Sequence, residues 1–99
     1  MQYYVYILRC EDQSLYTGIT TDVKRRFKEH SSDKLKGAKY TKSHKPLKIE
    51  AVWEAEGKSD ALKIEHHIKK LSKSEKEHLI EKNYVPCELF GIQIKRIYV

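Results

Sequence analysis

Residues 3–20 read YYVYILRCEDQSLYTGIT, and the fold follows from how this stretch divides. Tyr3 to Arg9 is rich in β-branched and aromatic residues and predicts a strand. Glu11 to Ser14 is polar and turn-like, and Leu15 to Thr20 predicts a second strand, so the two form a hairpin. On such a hairpin Tyr4, Tyr6 and Leu8 share one face, and Tyr16 and Gly18 share one face of the partner strand. A normal register brings Tyr6 and Tyr16 together. The pair reads in two ways: as sheet core, or as an exposed functional couple beside the backbone that Gly18 leaves uncovered.

The segment that follows, Asp22 to His30, predicts a helix with Asp22 as its N-cap. At about 100° per residue, Val23, Arg26, Phe27 and His30 lie on one stripe. Lys24, Arg25, Lys28 and Glu29 take the opposite side as solvated charges. An arginine on an apolar stripe carries a desolvation cost unless something pairs with it.

Residues 34 to 46, rich in lysine and small side chains, have no periodicity and read as a basic loop. Leu47 to Glu56 alternates as a half-buried strand. Leu47, Ile49, Ala51, Trp53 and Ala55 lie on one side, with Lys48, Glu50, Glu54 and Glu56 on the other. Gly57 breaks it, and Ser59 or Asp60 caps a second helix from Ala61 to about Leu71. Ser74 and Glu77 have capping-box spacing and open a third helix to about Lys82. The tail from Asn83 to Val99 holds Pro86, Gly91 and a short apolar run, and fits either an irregular wrap or an added edge strand. The order β-β-α-β-α-α predicts an α+β domain with a small, mostly antiparallel sheet.

Glu65 falls inside the apolar arc of the second helix, between Ala61 and Leu62, while Lys63, His66, His67 and Lys70 face away. A carboxylate placed there takes a cation: Lys69 one turn on, or an arginine or metal from elsewhere. His66 and His67 diverge by about 100° and do not converge on one ion, and zinc-type spacings are absent. The chain also lacks GxGxxG and Walker-type glycine loops.

With 99 residues the chain makes one domain with one modest core. No apolar run is long enough to span a membrane, and no leader pattern opens the sequence, which predicts a cytoplasmic protein. Cys10 and Cys87 read as reduced packing residues. Lysine and arginine number 20 against 14 acids, a net charge of +6 that favours a polyanionic partner. Together, two tyrosines, Arg26, His30 and Glu65 form a coherent set for cleaving a phosphodiester. Glu65 would hold one divalent cation, Arg26 would offset charge on the phosphate, and a tyrosine hydroxyl would orient or deprotonate the attacking water.

In this order the residues resemble the GIY-YIG nuclease superfamily. Val5-Tyr6 stands at the first signature, Tyr16-Thr17-Gly18 at the second, and Arg26 at the arginine of the following helix. Glu65 stands at the metal-binding glutamate, and the likeness covers roughly Tyr3 to Leu71. The spacing of Arg25, Arg26 and His30 is similar to that of the small stand-alone bacterial (YhbQ-like) branch. Tyr4 replaces the first glycine and Thr17 the central isoleucine.

The resemblance implies a three-stranded antiparallel sheet flanked by helices, over residues 1–83, with residues 84–99 as an extension on the same domain. It implies a metal-dependent endonuclease acting on structured, damaged or single-stranded DNA, in a setting such as repair or recombination, with RNA left open. Tyr6 and Tyr16 would sit around the water, Arg26 on the phosphate, Glu65 on Mg²⁺ or Mn²⁺, and His30 as a further hydrogen-bonding residue. Lys36, Lys39, Tyr40, Lys42, His44 and Lys45 would contact phosphates, with Tyr40 offering a stacking face. Two other readings stand beside it. One is a non-catalytic nucleic-acid-binding or adaptor module of the same fold. The other is a subunit whose protein partner selects the substrate, met by Ile92, Ile94, Ile97 and Tyr98.

Overall fold

The computed structural model describes residues 2–32, 45–81 and 94–97, with residues 30–32 and 94–96 described by backbone alone. Strand β1 (Tyr3–Cys10) pairs antiparallel with β2 (Leu15–Thr20) on one side and with β3 (Pro46–Ala55) on the other. These three strands are the antiparallel sheet that the pattern predicts. Residues of the tail add a short edge strand, β4 (Ile94–Ile97), giving the order β2-β1-β3-β4. Helix α1 (Val23–Ser32) follows β2, and α2 (Lys58–Lys69) and α3 (Lys73–Glu81) follow β3.

The hairpin turn is built from local polar contacts. The Asp12 carboxylate accepts from the Ser14 amide and hydroxyl, at 3.1 and 2.5 Å, and Gln13 takes a positive φ of 70°. The Asp22 side chain accepts from the Arg25 amide at 3.1 Å and caps α1 as its position predicts.

Alternation along β1 divides the interior into two clusters. Val5 and Ile7 point to the face covered by α2 and α3, with Ala51, Trp53, Ala55, Ala61, Ile64, Ile68 and Leu79. Tyr6 and Leu8 point to the other face, beneath α1, with Val23, Val52 and flanking Tyr4, Tyr16, Phe27, Ile49 and Ile97. Ile97 is therefore packed against the sheet interior rather than offered to a partner. Ile92 and Tyr98 lie outside the described residues, and Ile94 is described by backbone alone.

Local expectations change in β3, α2 and α3. The single alternation along β3 is broken by a register shift opposite Ile7 and Leu8, where Glu50 is the extra residue. Ile49 then pairs with Leu8 and joins the α1 face, while Leu47, expected inside, is 52% exposed. Helix α2 begins at Lys58, a turn earlier than expected, with Gly57 as its N-cap and no side-chain cap. Leu62, expected on its apolar arc, is exposed.

The capping box of α3 lies at Ser72 and Glu75, not Ser74 and Glu77. The Ser72 amide donates to Glu75 at 2.9 Å, and the Glu75 amide donates to the Ser72 hydroxyl at 3.2 Å. Glu77 is taken elsewhere. Together with Glu50 it accepts from the Arg9 guanidinium at 2.5–2.9 Å, fastening α3 to the sheet.

Cys10 is a buried free thiol whose ionisation burial pushes up, as a packing residue requires, and Cys87 lies outside the described residues. Among the described residues no helix is long and apolar enough to cross a membrane.

Thr17 lies under α2 and is 2% exposed, and among the described residues its hydroxyl has no hydrogen-bond partner. A buried orphan hydroxyl is destabilising, so Thr17→Val should raise stability by about 1 kcal/mol. A thermal melt reads this as a midpoint about 4–8 °C higher. A lower midpoint would mean that the hydroxyl is satisfied.

Candidate functional site

Tyr6 occupies the middle of the central strand and pairs with Gly18 across the hairpin, while Leu8 pairs with Tyr16. The two tyrosine rings lie 6.3 Å apart between centroids and are tilted by 48°. Gly18 makes room for them. A Cβ built there would come within 2.5 Å of the Tyr6 hydroxyl oxygen and 3.2 Å of the Tyr16 ring. The glycine is required by close approach of a side chain, so the aromatic pair fills the space that its missing side chain leaves.

Arg26 projects from the second turn of α1 onto the same face. Its guanidinium reaches the Tyr6 hydroxyl within hydrogen-bonding range and donates to Glu29 at 2.8 Å. Glu29 is thus half-buried against Arg26 and not the solvated charge that its place on the helix wheel suggests. Sequence spacing did carry a signal for it, an acid three residues after the arginine that needed a partner.

Glu65 arrives from the opposite side of the sheet. Helix α2 packs against β2 as well as the central strands, and β2 is an edge strand. From there the Glu65 carboxylate, 17% exposed, pairs with Lys69 at 3.7 Å, and the Lys69 ammonium sits 5.9 Å from the Tyr16 ring centroid. The negative charge of Glu65 acts on both tyrosine hydroxyls, raising their pKa. Tyr6, Tyr16, Arg26 and Glu65 therefore converge, and Lys69 joins them.

The remaining expectations fare differently. His30 belongs to α1 by its backbone, and its side chain is outside the description. Lys36, Lys39, Tyr40, Lys42 and His44 lie outside the described residues. Lys45 is exposed and stands at the far end of β1. Its carbonyl accepts from the Glu11 amide at 2.8 Å, and its ammonium is 3.8 Å from the Glu11 carboxylate. Glu11 is five residues along the chain from Tyr6, about 17 Å. Lys45 does not join the tyrosines directly.

Burial dominates the proton affinity of the tyrosines. Tyr6 is pushed well above the usual phenol range by desolvation and by Tyr16, and the Arg26 charge and hydrogen bond only partly offset this. Tyr16 is raised for the same reason, against Arg26. For Arg26, burial opposes the charge, yet Glu29 and Tyr6 hold its pKa above the ordinary value. At neutral pH the two phenols are neutral and Arg26 is a fixed cation.

No group of three or more histidine, cysteine, aspartate or glutamate side chains suited to a metal occurs among the described residues. A single half-buried carboxylate fits Mg²⁺ or Mn²⁺ in the manner those ions favour, through one or two carboxylates with waters and substrate phosphate supplying the remaining oxygens.

Comparison with known proteins places these residues in context. The profile of the GIY-YIG catalytic domain matches residues 2–78. The UPF0213 protein FN1575 of Fusobacterium nucleatum is 52% identical over 82 residues, covering 83% of this chain and 80% of that one. A UPF0213 protein of Syntrophus aciditrophicus is 49% identical over 80 residues, 81% of this chain and 91% of that one. The solution NMR structure of a UPF0213 protein from Bacillus halodurans superposes with a TM-score of 0.55 at 45% identity, covering 89% of this chain and 92% of that one. None of these UPF0213 names states a reaction.

The raised phenols give a pH test. A phenol with a higher pKa in the folded state stabilises fully below the unfolded value near 10, and that stability is lost as pH rises above it. The thermal midpoint should therefore fall between about pH 9 and pH 11, and less steeply in Tyr6→Phe. Equal slopes would mean that Tyr6 is not held protonated by its surroundings.

Proposed function

The chain belongs to the GIY-YIG catalytic domain family, and on that premise we propose that it is a metal-dependent endonuclease hydrolysing phosphodiester bonds in structured, damaged or single-stranded DNA. The observation that carries this reading is the meeting of Tyr6, Tyr16, Arg26 and Glu65 from two strands and two helices on opposite sides of one sheet.

Arg26 donates to the non-bridging oxygens of the scissile phosphate, exchanging its contact with Glu29 for one that strengthens as charge develops. Tyr6 and Tyr16 act as neutral hydrogen-bond donors and acceptors, since a phenol is protonated at neutral pH and burial raises both further. They orient the attacking water while Arg26 holds the Tyr6 hydroxyl in place. Glu65 would hold the divalent cation, which when bound supplies charge neutralisation at the phosphate and a more acidic water. Lys69 stabilises the Glu65 carboxylate until that exchange and leans over Tyr16. His30, one turn beyond Arg26 on α1, would add a hydrogen bond at the edge of the same surface.

Thr17, the departure at the centre of the second signature, lies on the face opposite Tyr6 beneath α2 and removes none of these contacts. Lys36, Lys39, Tyr40, Lys42, His44 and Lys45 would supply phosphate contacts.

Nicked, branched and single-stranded DNA, with RNA alongside, test the proposal in Mg²⁺ or Mn²⁺. Arg26→Ala and Glu65→Gln should each lower cleavage by about 10²–10³-fold. Cleavage surviving both substitutions would identify a contaminant and overturn the site. Binding without cleavage on any substrate would instead favour a non-catalytic module of the same fold.

A further inference from the structure

The outer face of α2 carries a second cationic feature, turned away from the tyrosines. Lys63, His66, His67 and Lys70 line a concavity of about 420 Å³. Their spacing, three, four and seven residues from Lys63, places all four on one side of the helix along about 10 Å of axis. Among the described residues neither Lys63 nor Lys70 forms an ion pair, and the acid noted near this face is Glu75 at the start of α3, which feels the charge of His67.

Two simpler explanations are insufficient. Basic residues at a helix C-terminus offset the helix dipole, and His66, His67 and Lys70 fall in that region. Lys63 does not, since the dipole acts only over the final turn. A solvated surface also carries scattered lysines, but without a shared concavity and with acids interspersed.

The face is also continuous with the candidate site. Lys69, which stands over Tyr16, is three residues from His66 and so its neighbour on the helix surface. Leu62, 43% exposed, lies between the Glu65 side and the basic side, so among the described residues no packed element separates them. A track of cationic groups thus runs from the tyrosines, through Lys69, to Lys63 and Lys70.

We propose that this face of α2 is a second phosphodiester-binding surface, which holds the strand of a nucleic acid as it leaves the candidate site. The inference rests on the endonuclease reading for its substrate class. The occupant is a phosphate backbone because the donors are point-like ammonium and imidazole N–H groups in a row, suited to phosphate oxygens and not to base edges. Over about 10 Å a strand rising roughly 3.4 Å per nucleotide presents several phosphates. The binding is independent of base sequence and weakens with salt.

Fluorescence anisotropy of labelled single-stranded and duplex oligonucleotides, titrated at several salt concentrations, tests the surface. Wild type is compared with Lys63→Gln/Lys70→Gln and with Lys24→Gln/Lys48→Gln, which lowers the net charge equally on α1 and β3. The α2 variant should lose about fivefold or more in affinity at low salt. Its slope of log K against log salt should flatten by about 1.4 for single strands and about 1.8 for duplex, the signature of two lost phosphate contacts. The control should stay within about twofold of wild type, as loss of net charge alone would leave it.

Equal behaviour of the two variants would overturn the surface, as would a wild type that binds anionic vesicles or acidic peptides but no nucleic acid. Glu65→Gln in the same titration separates the two proposals and should bind like wild type. If binding depends on α2 while nothing is cleaved, the endonuclease reading falls and the surface stands. If cleavage is retained and the α2 variant binds like the control, the surface falls and the site stands.

Discussion

The missing side chain at Gly18 is the constraint on which the arrangement of the site depends. Tyr6 lies on the central strand, where neighbours on both sides and α1 above leave little room for a large ring. The ring fits because the position opposite it on β2 has no Cβ, and any Cβ there would overlap the hydroxyl end. With Tyr6 seated this way, its hydroxyl meets Arg26 from α1 and its ring meets Tyr16. The residues to either side of it, Val5 and Ile7, point the opposite way and anchor α2 through Ile64 and Ile68. One strand therefore fixes the hydroxyl, and through its other face fixes the helix that brings Glu65.

Each charge at the site has a local partner: Arg26 has Glu29, and Glu65 has Lys69. Both are same-helix pairs spaced three or four residues apart, and such pairs are worth only a few tenths of a kcal/mol when partly exposed. They are strong enough to orient the side chains and weak enough to exchange for a phosphate or a cation. The Arg9 cluster differs in kind. One guanidinium bridges two carboxylates from different elements, with Arg9 and Glu50 largely buried, and removing the arginine would leave Glu50 with the weaker, exposed Lys48 at 3.5 Å as its cation. Permanent fastening is thus kept at Arg9, and exchangeable pairing around the tyrosines.

The elements that local periodicity controls were legible in the sequence. The hairpin, the Asp22 cap, and the placing of Arg26 and Glu65 on or beside apolar stripes all follow from spacing within a few residues. What escaped depends on distant partners. The bulge at Glu50 exists only in the pairing of β3 with β1, and it moved Ile49 across the sheet. Two capping boxes overlap after Leu71, and the choice between them was settled by Arg9, far away in sequence, which takes Glu77. Glu29 looked solvated because a helix wheel shows which side a residue takes, but not that an arginine beside it has been drawn toward a tyrosine. The convergence of Glu65 with Tyr6 was expected from the joint chemistry and the resemblance, but its geometry was not legible, because it depends on α2 packing beside an edge strand.

Helix α2 shows how so small a domain can serve several demands. Its inner stripe, Ala61, Ile64 and Ile68, is fully buried and supplies much of the core on that face. One flank carries Glu65 and Lys69 toward the tyrosines, and the outer face carries the basic row. These zones occupy different arcs of one helix, so a change on the outer arc leaves core packing and the site carboxylate untouched. The same division has a structural consequence. Any rotation of α2 about its axis would move all three zones together, pulling Glu65 from Tyr16 as it unpacked Ile64 and Ile68. Core packing is therefore what holds the carboxylate in register with the tyrosines, and the geometry of the site is only as firm as the seat of those two isoleucines.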